Sequence, residues 1–165
     1  MHRCCNKWKV ELMKVILKGR AVSKGVGQGY AIVSPQPISF LGGVDRETGI
    51  INEEIPGLKG KSIAKKVLVF PTGKGSTGGS MILFGLAEKK KGPVAILNVE
   101  TDTITAVGAI LGGIPLVDRF DKNPIEVIKT GDFVKVDAEK GVVEILRNKR
   151  NLKKTPELDD SYAQI

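Results

Sequence analysis

The sequence predicts a single α/β domain, on three observations. Apolar strand patterns alternate with amphipathic helical segments between Val67 and Val117; a second pair of strand patterns, Phe133-Val134-Lys135-Val136 and Val142-Val143-Glu144-Ile145, is joined by a turn; and a glycine-rich loop separates the first of the alternating strands from the helix after it. With 165 residues and 41% apolar content, the chain can bury one real core and is short for two.

The first convincing strand is Lys14-Val15-Ile16-Leu17-Lys18, so residues 1–12 read as an extension preceding a domain of residues 13–147, and residues 148–165 as a charged tail. The glycine-punctuated run Gly25-Val26-Gly27-Gln28-Gly29, followed by Tyr30-Ala31-Ile32-Val33 and Ser34-Pro35-Gln36-Pro37, predicts a β-hairpin. From Phe40 to Gly60 the chain is loop-rich, with turn signals at Gly42-Gly43, Asp45 to Gly49 and Pro56-Gly57. Irregular stretches of that length are often functional. A strand at Val67 to Phe70 precedes a helix from about Ser80 to Lys90. Another strand at Val94 to Leu97 precedes a helix over Thr103 to Leu111, stopped by Gly112-Gly113 before a strand at Ile114 to Val117. Strand, helix and strand in succession imply a parallel sheet with right-handed crossovers.

Charge excludes more than it suggests. The net charge is +8, but residues 1–20 hold six basic groups against Glu11 and residues 147–165 hold five against three acids, leaving 15 basic and 14 acidic side chains in residues 21–146. The folded part is therefore nearly neutral. A nucleic-acid-binding module is a competing reading for the basic ends, where Trp8 lies among Arg3, Lys7 and Lys9, with a solvated extension as the simpler account. No apolar stretch approaches the roughly 18–20 residues of a membrane span, and the first residues lack a signal core, which predicts a soluble, cytoplasmic protein with no membrane partner. The two cysteines, Cys4 and Cys5, are adjacent, so neither a disulfide framework nor a metal knuckle can be built from this chain alone.

The segment with most chemistry in it is Pro71-Thr72-Gly73-Lys74-Gly75-Ser76-Thr77-Gly78-Gly79-Ser80, between a strand end and a helix start. Ligands of open α/β sheets gather at strand carboxyl ends, and unsatisfied amides at a helix N-terminus attract anions by roughly 0.3–1 kcal/mol. Hydroxyls of Ser76, Thr77 and Ser80 would line that mouth; alternatively the segment is a tight turn with Ser80 as the N-cap. The spacing fits neither a phosphate-binding Gly-Lys-Ser/Thr loop nor a dinucleotide fingerprint at Gly25 to Gly29. Asp45 and Arg46, in the long loop, face a substrate or a partner or else serve turn chemistry; Asp102 and Asp118, near element ends, carry no assignment. Lys89-Lys90-Lys91 reads as compensation of a helix dipole.

Gly75-Ser76-Thr77 after a strand resembles the Gly-Ser-Ser loop of the aconitase superfamily's swivelling domain. The wider pattern of Gly42-Gly43-Val44-Asp45, Thr48-Gly49, Gly60-Lys61, Gly73-Lys74-Gly75-Ser76 and Gly113-Ile114-Pro115 is similar to the aconitase X swivel family over about residues 14–146. The resemblance implies a swivelling β/β/α domain like the C-terminal domain of aconitase. It implies Ser76 as the proton acceptor, with Lys74, Gly75, Thr77, Gly78 and Ser80 around the substrate.

By the same resemblance the chain is the small subunit of a heteromeric hydro-lyase, active only with a large catalytic subunit that holds a 4Fe-4S cluster, while this chain binds no metal. A small anionic hydroxy acid is the implied substrate: 5-phosphomevalonate, dehydrated to trans-anhydromevalonate 5-phosphate in isoprenoid biosynthesis by archaeal members, or alternatively cis-3-hydroxyproline, the substrate of bacterial members. Aconitase and isopropylmalate isomerase follow their two serines with a carboxylate-gripping arginine. Here Thr77 and Gly78 stand instead, which points away from tricarboxylate isomerisation. Phosphohistidine carriers on a similar fold need a histidine on the mobile face, and the single histidine, His2, lies outside the expected domain.

Overall fold

Strand β4 (Val67–Phe70) shows how the core is divided, because all four of its side chains are buried and successive ones point to opposite faces. Val67 and Val69 enter one apolar cluster, with Leu17, Ala31, Ala95, Leu97, Val117, Val134, Val136, Val143 and Ile145. Leu68 and Phe70 enter the other, with Ile38, Phe40, Ile51, Ile55, Ile96, Leu83, Leu86 and Ala109. The sheet thus has apolar material on both sides, as a partly parallel sheet requires.

The computed structural model describes residues 11–148. Its other elements are β1 (Leu12–Lys18), β2 (Arg20–Ser23), β3 (Val26–Val33), α1 (Gly78–Glu88), β5 (Ala95–Asn98), α2 (Thr103–Gly112), β6 (Leu116–Asp118), the single turn α3 (Pro124–Val127), β7 (Phe133–Asp137) and β8 (Val142–Asn148). Thus β1 opens and β8 closes one residue outside the expected 13–147. The remaining extension and tail, with Cys4, Cys5, His2 and Trp8, lie outside the described residues. Among the described residues no helix is long and apolar enough to cross a membrane.

Sheet order is β1-β8-β7-β3-β4-β5-β6-β2. Its two outermost strands are consecutive in the chain, separated only by Gly19, so the sheet curls round to bring its ends together. Gly19 is needed at that corner, since a Cβ there would lie 2.6 Å from the Asp118 carbonyl oxygen and 2.8 Å from the Phe120 ring. The parallel part, β3-β4-β5-β6, carries α1 and α2 as its crossovers; β1, β8, β7 and the first half of β3 pair antiparallel on one side of it, and β2 pairs antiparallel with β6 on the other.

Two expectations need correction. The run Gly25 to Gly29 does not turn a hairpin: residues 26–33 form the single strand β3, paired antiparallel with β7 through Val26 to Tyr30 and parallel with β4 through Ala31 to Val33. Its glycines serve close approach, since a Cβ on Gly29 would sit 2.9 Å from the Lys65 carbonyl oxygen and one on Gly27 would collide with that of Val94. Helix α1 begins before Ser80, because Thr77 already adopts helical angles (φ −53°, ψ −25°) as the N-cap and Gly79 is buried against Ile104 and Phe40. Ser80 is consequently inside the first turn and not its cap. At the other end, Lys89 Nζ bonds Glu47 Oε2 at 2.6 Å, tying the helix C-terminus to the 45–49 turn.

Candidate active site

Strand β4 delivers the chain to the carboxyl edge of the parallel strands, where its last carbonyl, that of Phe70, accepts from the buried Asn98 side-chain amide at 2.9 Å. The carbonyl of Pro71 then accepts from Val99 and Glu100 N–H at 3.0 and 3.1 Å. Two residues on, Gly73 N–H donates to Asp102 Oδ1 at 2.9 Å, while Asp102 Oδ2 accepts from Thr105 N–H at 3.1 Å as the side-chain cap of α2. One carboxylate therefore ties the serine loop to the N-terminus of the second helix. Gly73 has no room for a side chain, since a Cβ would collide with Asp102 Oδ1 and Thr105 Oγ1; the latter is fully buried and has no hydrogen-bond partner.

On its other flank the loop is bound by the segment after β3. Gly73 and Ile38 form a parallel bridge, Lys74 N–H donates to the Ile38 carbonyl at 3.0 Å, and Lys74 Nζ pairs with Glu53. Gly75 has φ +100° and passes close to Ser39. The chain then emerges: Lys74, Gly75, Ser76 and Thr77 are exposed.

Ser76 is held by the start of α1. Its carbonyl accepts from Gly79 N–H at 2.9 Å, and its hydroxyl oxygen accepts from Gly78 N–H at a long 3.4 Å. The amide that approaches the hydroxyl is one of the first-turn donors an α-helix leaves unsatisfied, so it favours negative charge on Ser76 Oγ. Preorganised backbone donors of this kind are what an alkoxide base requires. Thr77 caps α1 without a side-chain bond, leaving its hydroxyl outside the turn. Ser80 Oγ donates to the Thr77 carbonyl at 2.9 Å, so this hydroxyl is committed to the turn.

The sequence-predicted loop residues are thus brought together unequally. Ser76, Thr77 and the Gly78 amide share the exposed mouth, whereas the Lys74 cation is occupied by Glu53 and the Ser80 hydroxyl turns back on the chain. Asp45 performs turn chemistry: its Oδ1 accepts from Glu47 N–H, Thr48 N–H and the Thr48 hydroxyl at 2.9, 2.8 and 2.8 Å, bonds that hold its carboxyl below the usual carboxylate range. Arg46 is exposed and 3.6 Å from Glu47. Asp118 is buried at the end of β6, paired with Arg20 through two bonds of 2.9 Å and accepting from Thr101 N–H at 2.9 Å. Burial alone would raise its pKa, but the Arg20 and Thr101 bonds outweigh it and the net shift is downward.

Sequence reasoning missed Glu53 and Ser39, which carried no local signal. It left Asp102 unassigned, although an aspartate just before an apolar helical run is the pattern of an N-cap. Among the described residues no group of three or more His, Cys, Asp or Glu could hold a metal ion. That donor set does not fit a 4Fe-4S cluster on these residues.

A family model for the aconitase X swivel domain matches residues 16–145. A phosphomevalonate dehydratase small subunit from Methanocaldococcus jannaschii is 55% identical over 131 residues, 79% of this chain and 97% of that protein. Its counterpart from Methanosarcina acetivorans is 50% identical over 138 residues, 84% and 96% of the two chains. The crystal structure of Thermococcus kodakaraensis aconitase X in its holo form shares 50% identity and a TM-score of 0.76, covering 81% of this chain and 99% of that one. Sequence match and structural likeness agree, and the chain belongs to the aconitase X swivel-domain family.

Proposed function

We propose that this chain is the small subunit of a two-chain hydro-lyase that dehydrates (R)-5-phosphomevalonate to trans-anhydromevalonate 5-phosphate, with Ser76 as its proton acceptor. What carries the substrate assignment is the identity of about half of all residues to small subunits of phosphomevalonate dehydratases, across nearly the whole length of those proteins. What supports the role of Ser76 is its exposure at a strand carboxyl edge, beside the first free amide of α1.

In this mechanism Ser76, as the alkoxide, takes the proton from the carbon next to the substrate carboxylate. The electron pair left behind forms the new double bond as the hydroxyl departs from the neighbouring carbon. Gly78 N–H stabilises the alkoxide before the transfer, and the exposed backbone of Gly75 to Thr77, with the Thr77 hydroxyl, orients an anionic group of the substrate, while the Ser80 hydroxyl stays bonded within the turn. A 4Fe-4S cluster held by the large subunit would supply Lewis acidity at the departing hydroxyl, since among this chain's described residues no group of three or more His, Cys, Asp or Glu could hold a metal ion by itself.

Co-expression with the candidate large subunit and an anaerobic dehydratase assay test the proposal. Turnover of 5-phosphomevalonate is expected, with cis-3-hydroxyproline inert. Ser76→Ala should lower kcat by roughly 10²–10⁴, the usual contribution of a general base. Unchanged turnover in that variant would refute the base assignment, and turnover of cis-3-hydroxyproline alone would refute the substrate.

A further inference from the structure

We infer that Glu53 is a positioning residue for catalysis, acting through Lys74 to fix the serine loop, an inference resting on the dehydratase reading above. Glu53 lies in the long irregular stretch between Phe40 and Gly60, and its two carboxylate oxygens reach two different segments. Oε1 pairs with Lys74 Nζ, and Oε2 accepts from Ser39 N–H at 3.2 Å. The Glu53 side chain is 20% exposed and that of Lys74 49%, so the pair runs from the interior towards the mouth that holds Ser76.

The parts around this carboxylate leave it little freedom. Behind it stands Gly43, whose carbonyl accepts from Asn52 and Glu53 N–H at 2.9 and 3.2 Å; a Cβ on Gly43 would lie 2.9 Å from Glu53 Oε2. In front of it, Ser39 is fixed by its hydroxyl donating to the Leu41 carbonyl at 2.9 Å, and a Cβ on Gly75 would lie 2.7 Å from that hydroxyl oxygen. Residues 38–41 are therefore laminated between Glu53 and the loop. Lys74 is anchored twice, by its backbone to Ile38 in this layer and by its side chain to Glu53 beyond it.

A half-exposed ion pair contributes little to global stability. Catalytic geometry is less forgiving, since a misplacement of about 1 Å can cost on the order of 10² in rate. Loss of Glu53 should therefore appear in kcat more than in folding.

The test is a double-mutant cycle in the assembled two-chain enzyme, with Glu53→Gln, Lys74→Gln and the pair together. Glu53→Gln keeps an oxygen for Ser39 and removes the charge that holds Lys74. It should lower kcat roughly tenfold with KM within about twofold, an effect well inside the cost of such a misplacement. If Glu53 acts through Lys74, the double variant should lose no more than Lys74→Gln alone. Glu53→Asp, which restores the charge, should recover most of the rate. Additive losses, an effect confined to KM, or an unchanged kcat would overturn the inference.

Amide exchange over residues 72–80 of the same assembly supplies a readout independent of substrate. It should quicken several-fold in Glu53→Gln, and unchanged exchange counts against the inference even if the assembled enzyme prefers another hydroxy acid. Ser76→Ala run in parallel separates the two claims: an inactive Ser76→Ala with a fully active Glu53→Gln sinks the positioning role alone, and an active Ser76→Ala sinks the base assignment.

Discussion

Replacing Asp102 by alanine removes two hydrogen-bond acceptors at once, and their separate costs can be worked from the geometry. Oδ2 caps α2 through Thr105 N–H at 3.1 Å, and losing an aspartate cap to alanine costs about 1 kcal/mol. Oδ1 takes the part-buried Gly73 N–H at 2.9 Å, and a donor stranded there costs about 1–2 kcal/mol. The sum is roughly 2–3 kcal/mol, and a water entering the vacated space beside the partnerless Thr105 hydroxyl would bring it towards 2. Asp102→Asn keeps one oxygen and so should lose only one bond, about 1 kcal/mol. Urea unfolding followed by far-ultraviolet circular dichroism measures both. Because Gly73 lies three residues before Ser76, the alanine variant should also lose roughly tenfold in kcat when assembled, beyond any loss from its folded fraction. An alanine variant within about 0.5 kcal/mol of the parent, or an asparagine variant as costly as alanine, would refute the two-acceptor account.

Gly75→Ala should destabilise by about 1–3 kcal/mol, because φ is +100° and the new Cβ would lie 2.7 Å from Ser39 Oγ. Gly42→Ala is the control, with φ +85° and nothing within 4 Å; thermal melts giving equal losses for the two would dismiss the Ser39 contact. Asp118→Asn should cost about 1.5–3 kcal/mol at neutral pH, the range for hydrogen bonds to a charged group. The folded-state pKa of Asp118 lies below its unfolded value, so its contribution is present above the unfolded pKa of about 4 and is lost as pH falls through the folded one. The difference between parent and variant in urea titrations should therefore shrink below about pH 4; a gap that instead widens on acidification would show the sign to be wrong.

Some of these features were open to inspection in the sequence because their causes are local. Val67 to Phe70, the Asp137 to Gly141 turn and the stop of α2 at Gly113, with φ 64°, each follow from residues within a few positions of one another. Strand β2 was not visible: Arg-Ala-Val-Ser makes no apolar run, and it is a strand because it pairs with β6, where Arg20 meets Asp118 almost a hundred residues later. The glycines of β3 were misread because the same residue type serves turns and close backbone contact, and only the approach of Val94 and Lys65 distinguishes them.

The serine loop shows the same division on a smaller scale. Its position between strand and helix was legible, along with the helix amides near Ser76, but its rigidity depends on carboxylates 21 residues before Lys74 and 29 after Gly73. In the sequence Glu53 looks like any acid in a polar loop, and nothing nearby says that its charge faces Lys74. The two anchors act on adjacent residues, Asp102 on Gly73 and Glu53 on Lys74, and α1 takes hold again at Gly78. Between these anchors stand only Gly75, Ser76 and Thr77, and the last two are themselves held through their carbonyls by the first turn of α1. A hydroxyl on so short a span has few conformations to lose when substrate binds, which would let a serine beside a helix amide be placed accurately enough for the base role proposed above.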